Sequence, residues 1–336
     1  MNLRIRPARK EDHTEIMALA DIAGIGMSSL PQDNEVLCEK INNSLRSFAS
    51  APIRPQEESF LFVLEDMEHN RLVGTTAIIA HVGLSRPFYS YKLSTISQAS
   101  SAIGIYSLQQ VLHMVNDYTG ATEIASLFLH PDYRRDGIGR FLSRCRYMML
   151  AEFDHLFSDV VIAEIRGVQD KEGNSPFYDN LARHFFKMGF KEADYIYATQ
   201  GGQFIADLMP KYPIYVNLLP PEAQAVIGVP LDASKPALNL VKAEGFNYEG
   251  YVDLFDAGPT VQAKLHSIKT VRKSEKDAIV AIRAVHSEPH IICNTRLADF
   301  MITRGGIEKE NGNVVIPPEV AEALQVKIGD KVRYVV

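Results

Sequence analysis

The stretch from Ile124 to Phe153, IASLFLHPDYRRDGIGRFLSRCRYMMLAEF, constrains this chain more than any other. It opens with a short apolar run, Ile124 to Leu129, long enough for a buried strand and too short for a helix. His130-Pro131-Asp132 ends the run, because proline cannot donate to a ladder and disfavours helix in the residue before it. Arg134-Arg135-Asp136-Gly137-Ile138-Gly139 follows. Phe141, Leu142, Cys145, Met148, Met149 and Phe153 then recur at helical spacing, which predicts an amphipathic helix over 139–153. The order is strand, glycine-bearing basic loop, helix.

Such a loop presents unpaired backbone N–H groups at the positive end of a helix dipole and is an anion site before any side chain is counted. Gly137 and Gly139, flanking Ile138, let the backbone approach a phosphate closely. Arg134, Arg135 and Arg140 add positive charge around the same spot. Two glycines alone would read as an ordinary turn. The spacing Arg-x-x-Gly-x-Gly between a buried strand and a helix resembles the pyrophosphate-binding signature of the GCN5-related N-acyltransferases, which hold acyl-coenzyme A in this way.

The chain has 336 residues, 46% hydrophobic and 23% charged, the composition of an ordinary soluble globular protein. A net charge of −6 argues against general nucleic-acid binding, so any anion site is local. Cys38, Cys145 and Cys293 lie far apart without a C-x-x-C, which supports neither a zinc site nor a disulfide framework. No metal is expected. No apolar run approaches the ~20 residues needed to span a bilayer, and Met1 to Pro7 lacks a secretory segment. A cytoplasmic protein without membrane partners is expected.

In chain order, Leu3 to Arg6 alternates as a strand, 10–20 and 34–48 read as helices, and 59–66 with 72–82 reads as a hairpin. The small-residue loop Gly24 to Pro31 reads either as an interhelical turn or as a substrate loop offering the Ser28 and Ser29 hydroxyls. The aromatic and polar insert from Pro87 to Gly120 reads as a substrate-pocket element or as a dimer contact. Further on, 160–167 reads as a strand, 175–188 as a helix, 192–197 as a strand, and 203–209 and 237–244 as helices, with another helix starting at Pro220. The order helix, Gly245-Phe246, strand (248–255) echoes Met188-Gly189-Phe190 and reads as a degenerate second half. Lys269 to Lys276 reads as a linker, and the tail from Val314 as a small β-rich appendage of structural role.

The fold expected is α+β, a mixed N-acyltransferase sheet flanked by helices. Three units are expected: an acyl-CoA-binding domain over 1–200, a helix/strand extension completing the substrate site over 201–275, and a linker with a small β-rich subdomain over 276–336.

Beyond the superfamily signature, the chain resembles the bacterial arginine N-succinyltransferases of alpha-subunit type nearly end to end. The segments that carry the resemblance include Ser29-Leu30-Pro31, Ala163-Glu164-Ile165-Arg166-Gly167, Ser175-Pro176-Phe177, Phe204 to Lys211, Ala223 to Gly228 and Asp253 to Thr260. The resemblance implies transfer of a succinyl group from succinyl-CoA to the α-amino group of L-arginine, with ornithine or another amine as alternative acceptors. Succinyl-CoA is then a co-substrate, no cofactor is held permanently, and a homo- or hetero-oligomer is expected. It also implies a succinyl-CoA contact at Leu127, and a proton-donating histidine at the position that is Leu231 here, counted without a gap from Val226-Ile227-Gly228. No histidine lies between His184 and His266. The chain is therefore read either as an active enzyme with its acid elsewhere or as a non-catalytic acyl-CoA-binding subunit beside an active paralogue.

Amide formation by such a fold needs an amine that loses a proton, a stabilised tetrahedral oxyanion and a protonated thiolate. N–H groups of Leu127, Phe128 and Leu129 are candidates for the oxyanion and the pantetheine arm. Glu123 is a candidate base, or a solvated strand-end charge. Glu164 and Arg166 alternate to one face of their strand. They are candidates for pairing the substrate guanidinium and the succinyl carboxylate, or they pair elsewhere in the structure. Tyr178 and Cys145 read as packing residues and His130 as a turn residue.

Overall fold

The computed structural model describes residues 2–24, 27, 29–50 and 57–336. Strand β1 (Leu3–Pro7) is followed by helices α1 (His13–Ala23) and α2 (Asn34–Ala49). Asp33 caps α2 by accepting from the N–H groups of Glu35 and Val36. Next come the antiparallel pair β2 (Ser59–Asp66) and β3 (Arg71–Ile79), the hairpin β4 (Ser90–Ser100) and β5 (Ile105–Val115), and then β6 (Thr122–Leu129), α3 (Ile138–Glu152) and β7 (Val160–Glu164).

The middle of the chain is largely helical: α4 (Pro176–Asn180), α5 (Arg183–Phe186), α6 (Phe190–Gln200), α7 (Gln203–Leu208), the short strand β8 (Ile214–Tyr215), α8 (Pro221–Gln224) and α9 (Lys235–Ala243). Two strands, β9 (Asn247–Val252) and β10 (Pro259–Lys264), precede α10 (Lys269–Lys273). The chain ends with β11 (Glu275–Ile282), β12 (His290–Cys293), β13 (Ile302–Gly305), β14 (Glu308–Glu310), β15 (Asn313–Ile316), α11 (Pro318–Leu324) and β16 (Lys331–Val335).

The sixteen strands among the described residues join one hydrogen-bonded sheet in the order β14-β15-β11-β16-β12-β13-β1-β2-β3-β6-β7-β10-β9-β4-β5-β8. The mixed sheet flanked by helices matches the expected fold class. β1 pairs antiparallel with both β2 and β13, so the C-terminal strands extend the same sheet. One face of the central strands packs on α3 through Ile124, Leu129, Phe141, Leu142, Val161 and Ala163. The other face packs on α1 and α2 through Ile16, Leu37, Leu61, Val63 and Phe128.

Several expectations change. Residues 192–197 belong to α6, not to a strand. Phe190 and Ala193 are buried and Tyr197 half-buried, the i, i+3, i+7 spacing of a helix face that outweighs the short alternation of Glu-Ala-Asp-Tyr-Ile-Tyr. The helix expected over 175–188 is two short ones, broken at Leu181 (φ −132°, ψ −79°). Gly189-Phe190 therefore opens a helix whereas Gly245-Phe246 precedes β9, and the echo between them does not extend to structure. The strand expected to reach Phe255 stops at Val252, because Asp253 Oδ1 accepts from the N–H groups of Phe255 and Asp256 and turns the chain. Lys269 to Lys276 forms α10 and the start of β11 rather than a linker, anchored where the Thr270 N–H donates to Glu244 Oε2 at 2.7 Å. The insert between Pro87 and Gly120 is the β4–β5 hairpin, with Tyr91, Val111 and Leu112 buried at its base and Ile105, Tyr106 and Leu108 exposed toward its tip.

Candidate active site

The site begins with a failure of pairing. β6 runs antiparallel to β3 along one edge, with a register shift opposite Thr75 and Ala77 and with Ser126 in the left-handed region (φ 53°). Along its other edge β6 is parallel to β7, but the ladder holds only Thr122 to Val161 and Glu123 to Ile162. β7 instead continues its pairing with β10 as far as Glu164 and Thr260. A notch therefore opens between residues 125–129 of β6 and residues 163–166 at the end of β7, and among the described residues the main-chain groups on that edge of β6 have no strand partner.

At the notch's α3 side, the turn Pro131 to Tyr133 leads into the basic loop. His130 caps that turn by accepting the Asp132 N–H at 3.3 Å, so it acts as a turn residue. Asp136 and Gly137 both take left-handed backbone (φ 52° and 69°), and Gly137 starts α3 without a side-chain cap. The first N–H groups of a helix have no intrahelical partner, so an uncapped start is an open anion site. Arg134, Arg135 and Arg140 are all exposed around it. Arg134 also donates from Nε to the Leu129 carbonyl at 3.0 Å, and Ile138 anchors the loop in the core. A Cβ on Gly137 would meet nothing within 4 Å, so its backbone angle, not space, favours glycine.

The opposite face of the same strands is acidic. Val161, Ala163 and Ile165 lie in the core beneath α3. Alternation then turns Ile162 and Glu164 to the α1/α2 face, together with Glu123. Burial pushes the Glu123 carboxyl up to about 7 against the opposing charge of Lys40 on α2. Burial likewise brings Lys40 down to about 8. The Glu164 carboxyl is raised well above the carboxylate range by burial, then by Asp253, Glu123 and Asp256. Tyr197 of α6 lies among the same groups, its hydroxyl raised by burial and by Glu164, Glu123 and Asp253. Arg166 donates from Nη1 to the Ala23 carbonyl at 3.4 Å, and burial lowers it against the attraction of Asp256 and Asp194. Asp256 accepts from the N–H groups of Gly167 at 2.7 Å and Gly258 at 2.8 Å, which fixes the end of β7 against the turn after β9.

Ser29 meets the bulge directly: its Oγ accepts the Ser126 N–H at 3.1 Å, and its carbonyl accepts from Ser126 Oγ and Lys40 Nζ. Ser28 lies outside the described residues. Leu231 is half-buried, and its N–H donates to the Arg166 carbonyl at 2.8 Å. Tyr178 is buried, stacks on Phe255 and donates to the Met188 carbonyl at 3.3 Å, which makes it a packing residue. Cys145 is buried, with its thiol pushed up to about 12 by burial.

The structure thus gathers Glu123, Glu164, Arg166, Ser29 and the 127–129 strand around one notch, with the arginine–glycine loop on the far side of the sheet. Sequence reasoning missed Lys40 of α2, Tyr197 of α6, and Asp253 and Asp256 of the turn after β9, three places far apart in the chain. The one signal available for the last two was the close pair of carboxylates beside Gly258, in a segment that carried the resemblance.

The family model described as arginine N-succinyltransferase beta subunit matches residues 3–270, and the model of its C-terminal domain matches 272–336. An arginine N-succinyltransferase of Yersinia pestis (strain Pestoides F) is 40% identical over 341 residues, covering 99% of this chain and 97% of that protein. The arginine N-succinyltransferase subunit beta of Pseudomonas aeruginosa is 40% identical over 332 residues, with 98% and 97% covered. The solved structure of arginine/ornithine succinyltransferase subunit AI from Pseudomonas aeruginosa superposes with a TM-score of 0.90 at 34% identity, covering 100% of this chain and 98% of that one. The chain belongs to the arginine N-succinyltransferase family of acyltransferases.

Proposed function

We propose that this protein transfers the succinyl group of succinyl-CoA to the α-amino group of L-arginine, giving N2-succinylarginine and free CoA, the first step of arginine breakdown through succinylated intermediates. The observation that carries this is the notch between β6 and β7, which links a phosphate-suited loop on one face to a cation-suited acidic site on the other. The pyrophosphate lies on the loop of Arg134, Arg135, Gly137, Ile138, Gly139 and Arg140, and the pantetheine arm runs along Leu127, Phe128 and Leu129 into the notch.

The reaction forms a C–N bond and breaks the thioester C–S bond. Glu123, as carboxylate, takes the ammonium proton directly or through water. Strand N–H groups at the notch hold the oxyanion of the tetrahedral intermediate. Burial and acidic neighbours keep the Glu164 carboxyl protonated before substrate binds. It releases its proton to solvent as the substrate guanidinium arrives and pairs with it as a carboxylate, while Arg166 pairs with the distal carboxylate of the succinyl group. The departing thiolate takes a proton from a neighbouring acid or from water.

Purified chain with succinyl-CoA and arginine, followed by release of free thiol, tests the reading. Release that is faster than with acetyl-CoA, and faster than with ornithine, is expected. Leu231 and the absence of histidine between His184 and His266 favour one other reading, a non-catalytic acyl-CoA-binding subunit that works beside an active paralogue. That reading predicts bound CoA and no thiol release from the homogeneous chain.

A further inference from the structure

Arg304 follows Gly137 by 167 positions in the chain, yet its guanidinium lies against the basic loop. Nη1 donates to the Asp136 carbonyl at 3.1 Å and Nη2 to the Gly137 carbonyl at 2.7 Å. The guanidinium carbon sits 4.7 Å from the centre of the Phe141 ring, on the first turns of α3. A strand presents it: Arg304 pairs with Ile291 of β12, and its neighbour Thr303 pairs with Arg4 of β1. The two carbonyls it binds belong to the consecutive left-handed residues Asp136 and Gly137. A non-glycine such as Asp136 keeps that backbone only where its surroundings hold it. In a trans peptide the N–H points opposite to the C=O. The bond from Arg304 to the Asp136 carbonyl therefore turns the Gly137 N–H away from Arg304.

We propose that Arg304 is a positioning residue for acyl-CoA: by forking onto two consecutive carbonyls it sets the 136–137 turn in its phosphate-binding conformation. The C-terminal strands are then part of the acyl-CoA site, although no residue of theirs belongs to the glycine signature. The inference rests on the reading of the loop as the pyrophosphate site.

The test titrates CoA into the full chain by calorimetry for the unaltered protein, Arg304→Ala, Arg304→Lys and Gly137→Asp, with melting temperatures measured alongside. Arg304→Ala is expected to weaken CoA by about tenfold or more, the order expected for two lost charge-assisted hydrogen bonds, with KM for the acceptor amine unchanged. Lysine keeps the charge but cannot fork onto two carbonyls, so Arg304→Lys is expected to restore little of the loss. Full restoration by lysine overturns the positioning role in favour of charge alone. Unweakened CoA binding in Arg304→Ala, with binding abolished in Gly137→Asp, overturns the role of Arg304 and leaves the loop reading standing. Retained CoA affinity in Gly137→Asp overturns the loop reading itself, and the inference with it. If Arg304→Ala also melts early, Arg304→Gln carries the same comparison, because it keeps much of the side chain over Phe141.

Discussion

The Leu231 N–H donates to the Arg166 carbonyl at 2.8 Å, and the adjoining Gly167 and Pro230 form an isolated antiparallel bridge. The position at which the family resemblance implies a proton-donating histidine thus lies alongside Arg166, two residues beyond the end of β7. Leucine cannot move a proton. Leu231→His is expected to raise kcat with succinyl-CoA and arginine by on the order of 10- to 100-fold, since a positioned general acid contributes roughly 10²–10⁴. An unchanged kcat in steady-state assays would show that the thiolate takes its proton elsewhere.

The pH dependence should carry the mark of Glu123. Its carboxyl is raised to about 7 by burial, so below that pH it is protonated and cannot accept the substrate's proton. kcat/KM is therefore expected to rise with pH through an apparent value near 7. Glu123→Gln should remove that limb and cost roughly 10²–10⁴ in rate. Persistence of the limb in the glutamine variant would exclude Glu123 as the base.

Glu164 has consequences for both binding and stability. Its folded-state carboxyl is raised well above the usual value, so the folded chain holds a proton that the unfolded chain has already released. Stability then falls as pH rises above the ordinary carboxylate range. Glu164→Gln is expected to flatten that slope in urea titrations taken at several pH values. The same variant should raise KM for arginine by about tenfold or more, through loss of a charged hydrogen bond, with KM for the acyl-CoA unaltered. An unchanged KM for arginine would place the guanidinium elsewhere.

Gly139 separates the demands of folding from those of binding. A Cβ there would lie 3.8 Å from Leu129 Cδ2, an ordinary contact. Gly139→Ala should therefore melt like the unaltered chain, yet bind CoA about tenfold more weakly if a phosphate approaches the backbone at this residue. Equal affinity by calorimetry would move the phosphate away from it.

Gly258 is required by packing. A Cβ there would come within 2.1 Å of the Ile165 carbonyl oxygen and 2.5 Å of the Gly167 nitrogen. Backbone on both sides leaves no side chain to yield. Gly258→Ala is expected to cost about 3 kcal/mol of stability, read from the urea midpoint at constant m. A shift of only a few tenths would show that the β7 end moves freely from the turn after β9.

Legibility followed distance along the chain. β6, the basic loop and α3 were readable because the apolar period, the proline stop and the two glycines act within a few turns of one another. Where competing patterns overlap locally, the reading failed: 192–197 alternates like a strand, but Phe190 and Ala193 find a buried partner face only as a helix. The same holds for 269–276, whose basic composition suggested a linker until Glu244 supplied its N-terminal acceptor.

By itself the sequence determined that a strand, an anion-suited loop and a helix follow one another at residues 124–153, because backbone preference and charge there are local properties. Tertiary structure alone decided what supports that loop and what faces it across the sheet. The loss of pairing between β6 and β7 opens the sheet, and burial turns Glu123 from an ordinary carboxylate into one that titrates near 7. It is also only in the folded chain that Arg304 reaches the carbonyls of Asp136 and Gly137. Proton affinity and loop conformation at such a site depend on the groups packed around them, and those groups come from distant parts of the chain.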